Sequence, residues 1–224
     1  MSNFLGKLQR LLSLNINTIR FNFNYFPFKQ AIKFPVLLSS NVLLLKMSGK
    51  LVLSEPLYYG KIKIGFGQVG IFDQRLSRSV WEVKGIVECR GSADIGHGSK
   101  ISVGENGRLV LGNNFVISAE ATIIAFDNIT IGDDCLLSWD VLMMDTDFHH
   151  IKDLDNKILN SPAPVILGNK IWAGARCLIL KGSEIPSNSV VAAGSTVSKK
   201  LTGENQVFAG IPAKAVKSEI VWER

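Results

Sequence analysis

A six-residue period runs through the second half of this chain and restricts its fold more than any other feature. From Leu167 an aliphatic or small residue recurs at Leu167, Ala173, Ile179, Ile185, Val191 and Val197. The fifth position of each hexad is small after the first: Ile171, Cys177, Ser183, Ser189, Ser195. The same phase runs upstream through Ile131, Leu137 and Met143, through Leu111, Ile117 and Ile123, and through Ile95 and Ile101. Between runs the register slips by two residues, as at Ile129-Thr130-Ile131. Six is neither the helical period nor the alternation of a plain strand. It suits short strands joined by tight bends, with one aliphatic side chain per flat face pointing inward. Three faces close a triangular coil of about eighteen residues, and stacked coils share one aliphatic core. The small fifth residue fits the bend. Gly112-Asn113-Asn114 and Gly168-Asn169 are expected to supply turns with positive φ. Counting on by six from Met143 meets His149, Asp155 and Ser161, so the chain at about 145–164 is expected to be a loop extruded from the coil.

The rest of the chain does not follow the repeat. Hydrophobic residues make up 46% of 224, enough to bury a core and to exclude wholesale disorder. The net charge of +6 is already reached in residues 1–60, which hold Lys7, Arg10, Arg20, Lys29, Lys33, Lys46 and Lys50 against Glu55. The basic character therefore belongs to the front end, and no nucleic-acid partner is expected. Leu5, Leu8, Leu11 and Leu12 have helical spacing, with Lys7 and Arg10 among them. Such a helix packs on the protein or lies on an anionic membrane surface; both readings stay open. No apolar run reaches the eighteen or so residues that a spanning helix needs. The bases inside the first apolar stretch do not make a signal peptide. Cys89, Cys135 and Cys177 show no metal spacing and read as reduced core residues, so a cytoplasmic protein is expected, with peripheral contact at the inner face of the membrane as the alternative. The expected organisation is an N-terminal cap or extension over 1–50, a β-helix over 51–217 with irregular first coils, and a C-terminal tail over 218–224.

With these hexads, the stretch Pro164-Val-Ile-Leu-Gly-Asn-Lys-Ile-Trp-Ala-Gly-Ala175, Ala192-Ala-Gly-Ser195 and Ala209-Gly-Ile-Pro-Ala-Lys214 resembles the hexapeptide-repeat acyltransferases. Asp145-Thr-Asp-Phe-His-His-Ile151 resembles the Asp-x-His-x-Ile motif of the branch that acetylates sugar hydroxyls. Thr18–Asn24 and Pro27–Lys33 are similar to the front ends of transferases of capsule and lipopolysaccharide biosynthesis. The resemblance implies an all-β fold, a left-handed parallel β-helix with a partly helical N-terminal cap. It also implies a homotrimer with active sites between subunits, acetyl-CoA as co-substrate, a carbohydrate acceptor and no metal.

Acyl transfer from a thioester to a hydroxyl needs a base for the acceptor proton, and histidine, with an ordinary pKa of about 6.5, suits that work. The chain has three histidines. His97, in Ile95-Gly-His-Gly98, reads as a surface turn residue. The motif match selects His149 as the base over His150. Asp147, with Asp145 as the other candidate, is expected to hold the imidazole, although a backbone carbonyl could serve. The resemblance implies an oxyanion donor among the backbone N–H groups of Ile171–Gly174, with Trp172 bounding the site. It further implies that Ala175 and Ala193 bond the pantetheine arm through their backbones. Ser198, Lys199, Lys200, Pro212 and Lys214 are expected nearer the nucleotide. The sugar pocket has Glu120, Asp127, Trp139 and Asp140 as candidates. Ser118 and Phe126 stand where galactoside-type members carry asparagine and aspartate, so the acceptor differs from theirs.

The leading expectation is O-acetylation of a sugar hydroxyl in a bacterial surface polysaccharide or its precursor. Alternatives are N-acetylation of an amino sugar and a non-catalytic scaffold. A γ-type carbonic anhydrase would need three zinc histidines at a spacing that this chain does not match.

Overall fold

The computed structural model describes residues 14–67, 69–73 and 76–224. Among these, short strands form three sheets of nine, seven and six strands, and nearly every coil gives one strand to each sheet in turn. The first coil comprises β1 (Val36–Leu38), β2 (Val42–Met47) and β3 (Lys50–Leu53). All pairings are parallel except the last, where β21 (Val207–Gly210) meets β22 (Ala213–Lys217) antiparallel. In the late coils partners lie 18 residues apart, as in Trp172↔Val190 and Leu178↔Thr196. Earlier the spacing is 20 (Val116↔Leu136) or 22 (Lys100↔Thr122), which is the two-residue slip visible in the sequence, taken up at corners. Ile129 pairs with Val165, 36 residues on, so one coil's length of chain is thrown out between them.

The hexad positions form the core. Leu167, Ala173, Ile179, Ile185, Val191 and Val197 are all buried, and so are the small fifth residues. The serines among those bond backbone inside the bend: Ser183 Oγ donates to Val197 O at 2.9 Å, and Gly210 N–H donates to Ser195 Oγ at 3.1 Å. Apolar burial at every coil, at roughly 25 cal/mol per Å2, is what stabilises the repeat.

The glycine-turn expectation needs correcting. Of the residues proposed for positive φ, only Asn114 has it (55°); the column continues through Asp134, Lys170, Asn188 and Asn205. Gly112, Gly132 and Gly168 serve close approach instead. A Cβ on Gly132 would meet the Gly168 carbonyl oxygen at 2.6 Å. Beside them a ladder ties coil to coil. Ser92 N–H donates to Asn113 Oδ1, Asn113 N–H to Asp133 Oδ1, Asp133 N–H to Asn169 Oδ1, and Asn169 N–H to Ser187 Oγ.

The boundary expected at residue 50/51 falls inside the first coil, which begins at Val36. The cap is the segment before it, with helix α1 (Ile16–Tyr25) and a single turn at Phe28–Ala31. Asn15 caps α1 through Thr18 N–H, a contact that favours helix initiation. The open end of a β-helix exposes unpaired strand groups, and α1 satisfies them with side chains. Asn22 bonds both the N–H and the C=O of Val36, Thr18 Oγ1 bonds both groups of Leu38, Asn17 reaches Val42 O, and Asn24 reaches Met47 O. Because amides and hydroxyls face inward with Phe21, the apolar residues Ile16, Ile19 and Phe23 face outward. The amphipathic helix expected at Leu5–Leu12 lies outside the described residues. At the other end, 218–224 packs back on the coil: Trp222 is buried, its Nε1 donates to Lys170 O at 2.9 Å, and Arg224 reaches Asn114 O at 3.1 Å.

Candidate functional site

Each coil turns three corners, and the chemistry-bearing residues divide between two of them. The first corner, between the nine- and seven-stranded sheets, carries His97, Glu120, Trp139 and Asp140, Ala175 and Ala193 in successive coils. The second, between the seven- and six-stranded sheets, carries Asp127, the extruded loop, Lys181 and Ser198–Lys200.

At the first corner an apolar groove of about 430 Å3 is lined by Ser138, Trp139, Trp172, Gly174, Ala175 and Val190–Ala193. Hexad spacing sets Ala175 one coil from Ala193, and Gly194 N–H donates to Ala175 O at 2.9 Å. The N–H groups of Ala175 and Ala193 donate to no protein acceptor among the described residues. Two stacked donors in an apolar wall suit a thin amide-bearing ligand. Trp172 stands half-exposed beside them, its Nε1 donating to Ser138 Oγ at 3.0 Å and its ring 6.1 Å from that of Trp222. The oxyanion donor expected within Ile171–Gly174 meets a difficulty: Trp172 N–H and Gly174 N–H are spent on Ser189 O and Val191 O in the coil ladder. Pro212 and Lys214 lie at the foot of this corner, near the Gly210–Ser195 contact, and both are exposed.

The loop at the second corner is a built structure. Asp145 is fully buried at its start, and its carboxylate accepts from Phe126 N–H (2.8 Å) and Asp127 N–H (2.9 Å). Burial pushes the Asp145 carboxyl above its ordinary range, while those two N–H groups pull it down. Ala163 N–H donates to Asp145 O and closes the loop's neck. Lys152 and Ile158 bridge antiparallel across it. Asn160 ties both limbs, donating to Asp147 Oδ2 (2.9 Å) and His149 O (2.8 Å) and accepting from Ile151 N–H (2.6 Å). Lys181, in the following coil, donates to Asn160 O and Ser161 O and pairs with Asp147 at 2.6 Å. The Phe148 ring packs edge-on against Phe126 at 4.9 Å. His149 and His150 are exposed.

Three expectations change here. The Asp147 carboxylate bonds Lys181 and Asn160 through Oδ2 and makes no bond to the His149 ring within the chain; the Lys181 ammonium holds it below the usual carboxylate range. What Asp147 offers His149 is its backbone oxygen, which accepts His149 N–H at 2.7 Å. Asp127 stands at a different corner from Glu120, Trp139 and Asp140, so within one chain these four do not line one pocket. Glu120 is engaged by Ser77 and Lys100, and Asp140 by Arg176. His97 is 3% exposed, a buried residue rather than a surface turn. Lys200 pairs with Glu184, while Ser198 and Lys199 are exposed beside it.

Lys181 and Asn160 were missed. Lys181 precedes Lys199 by one coil, so the repeat itself locates it beneath the loop; Asn160 acts through loop conformation, which has no period. The cysteines are free and buried as expected, with burial raising the Cys89 thiol to about 12 and the Cys135 thiol to about 11. Among the described residues no helix is long and apolar enough to cross a membrane, and no cluster could hold a metal ion.

No protein-family model matches the chain. It is 32% identical over 109 residues to a galactoside O-acetyltransferase of Escherichia coli (strain K12), covering 48% of this chain and 52% of that protein. It is 39% identical over 108 residues to a polysialic acid O-acetyltransferase of Neisseria meningitidis, covering 48% and 50%. The chain thus spans about half the length of the curated relatives it matches. The crystal structure of the polysialic-acid-specific acetyltransferase NeuO superposes with a TM-score of 0.52 at 24% identity, covering 84% of this chain and 79% of that one. This likeness establishes the left-handed parallel β-helix.

Proposed function

We propose that this chain, whose relatives are O-acetyltransferases of the hexapeptide-repeat family, moves an acetyl group from acetyl-CoA to a sugar hydroxyl of a bacterial surface polysaccharide or its precursor. The observation that carries the reading is the pair of uncommitted N–H groups at Ala175 and Ala193, one coil apart in an apolar groove. They match the amides of a pantetheine arm. The exposed cations Lys199 and Lys214, with Lys200 in a solvent-facing pair that binds weakly, provide charge for the nucleotide phosphates, and Pro212 packs on the base.

His149 acts as general base. It takes the acceptor hydroxyl's proton as the oxygen attacks the thioester carbonyl, and returns that proton to the departing thiolate. Asn160 and the Asp147 carbonyl fix its backbone, so the imidazole is presented by a braced loop. An oxyanion donor must come from an N–H group outside the ladder other than the pair that meets the pantetheine arm.

Within one chain the donor groove and the His149 loop stand at different corners. A complete site therefore combines the first corner of one copy with the second corner of another, which supports the trimer. The outward apolar face of α1, with Phe28 and Ile32 beside Arg20, Lys29 and Lys33 and no acid before Glu55, supports peripheral contact with an anionic membrane. On this reading the enzyme works in the cytoplasm, at the inner face of the membrane.

The test incubates the protein with labelled acetyl-CoA and a glycan panel, comparing wild type with His149→Ala. A positioned general base contributes about 10²–10⁴-fold, and a loss of that size in transfer is expected while CoA still binds. Unchanged transfer by the variant rules out the base.

A further inference from the structure

Segment 218–224 runs back along the third corner of the coil, between the six- and nine-stranded sheets, and meets the donor groove from behind. Ile220 N–H donates to Asn205 O at 3.0 Å, Trp222 Nε1 to Lys170 O at 2.9 Å, and Arg224 to Asn114 O at 3.1 Å. These three acceptors belong to the positive-φ column of that corner, so the segment climbs the column from Asn205 to Asn114. Midway along it Trp222 turns inward and is 8% exposed, while Val221 and Glu223 on either side face solvent. Its ring centroid lies 6.1 Å from that of Trp172, with the planes tilted by 43°.

Trp172 is the outward residue of the two-residue strand Trp172–Ala173 and pairs in register with Leu136 and Val190 of the adjoining coils. It is 38% exposed and forms part of the wall of the donor groove, with Ala175 and Ala193. So short a strand supplies no second outward side chain, and the indole's two torsions are limited by what reaches it from elsewhere. The bond from Nε1–H to Ser138 Oγ at 3.0 Å fixes one point of the ring and leaves it free to pivot about that point. Trp222 supplies a second point from the third-corner side, where its own Nε1 is tied to Lys170, two residues before Trp172. Two points fix a plane that one does not. Trp222 itself does not line the groove, so whatever it does there it does through Trp172.

We propose that Trp222 is a positioning residue for the donor groove: it holds the Trp172 indole in the orientation that keeps the groove at the width of a pantetheine arm. Released, that indole swings into the groove and obstructs it, or away and withdraws its contact. Either movement weakens CoA. The proposal rests on the donor-groove reading for the identity of the ligand, but the bracing of Trp172 is measurable without any ligand.

The experiment follows the Trp172 indole N–H by NMR in the full chain, assigned with Trp172→Phe, and measures CoA affinity by calorimetry. Trp222→Leu keeps an apolar side chain beneath the segment but removes the flat ring. It should shift the Trp172 signal and speed its hydrogen exchange by about three- to tenfold, the size of an aromatic pair's contribution. CoA affinity should fall by a similar factor, with KM for acetyl-CoA raised and kcat unchanged, as for lost uniform binding. Trp222→Phe, which returns a ring against Trp172, should restore both the signal and the affinity. Arg224→Ala loosens the far end of the segment without touching the ring pair and should change neither. An unchanged Trp172 signal in Trp222→Leu overturns the positioning role, as does a loss in Trp222→Phe or Arg224→Ala equal to that in Trp222→Leu. An altered signal with CoA affinity intact overturns it too. Wild type that binds no CoA, with the Trp172 signal still responding to Trp222→Leu, would instead count against the donor reading and leave the bracing standing.

Discussion

Asn160 offers the sharpest test of how the histidine loop is held. Asn160→Ala removes three hydrogen bonds, to Asp147 Oδ2, His149 O and Ile151 N–H. Net contributions of about 0.5–1.5 kcal/mol each, taken toward the low end because the loop is solvent-exposed, give about 1–3 kcal/mol for the set. That corresponds to a roughly 5- to 150-fold increase in local opening. Hydrogen exchange at the Ile151 amide reads this directly and should accelerate by that factor. Amides of the central strands should not respond, and Tm should hardly move, because the loop lies off the aliphatic core. On the proposed mechanism kcat/KM falls about tenfold or more, while CoA affinity holds, because Ala175 and Ala193 stand at the other corner. Asn160→Asp keeps an acceptor for Ile151 N–H but sets a carboxylate against Asp147, so it should open the loop further than alanine does. Exchange at Ile151 within twofold of wild type in both variants would refute the bracing.

Other outcomes follow from the same geometry. Gly132→Ala drives a Cβ onto the Gly168 backbone, which cannot move without displacing a coil, so a loss of about 3 kcal/mol or more is expected in a denaturant titration. Gly70→Ala, with open space around it, should cost little in the same titration. Ile123→Ala, deep in the core, should cost about 2–5 kcal/mol. A thiol reagent at pH 8 should label almost none of the three cysteines in the native protein and all three in denaturant, because burial holds Cys89 near 12 and Cys135 near 11. The Asp147 carboxyl is depressed by Lys181, so the pair stabilises the loop above the ordinary aspartate value of about 3.9 and is lost as pH falls through the lowered value. Exchange measured across 147–160 should therefore lose protection in acid before the strands do.

The coil was legible because hexads report burial directly: each aliphatic position points at the same core whatever lies outside. The two-residue slips and the missing phase at 145–164 were readable for the same reason. Asn169 and Gly168 looked like turn formers, yet their work is contact with the next coil, which a residue's own conformational preference does not reveal. The first coil at Val36 was hidden because Val42–Met47 and Lys50–Leu53 lack the hexad spacing; their pairing is set by the coil above. His97 looked exposed in its glycine-flanked turn, but the chain near Val69 and Phe72 covers it, and a covering of that kind leaves no local signal. The division of the candidate residues between two corners was implicit in the period, since positions 18 apart share a corner. The partner of Asp147, Lys181, reaches it from a coil away and leaves no sign in the local motif.

The inward asparagines of α1 have a consequence for how this molecule fails. A solenoid with bare hydrogen-bonding groups at its end is a template onto which another copy can crystallise one rung at a time. Deleting the segment before Val36 should thus turn a discrete particle into a seed for filaments, with loss of solubility preceding any loss of secondary structure.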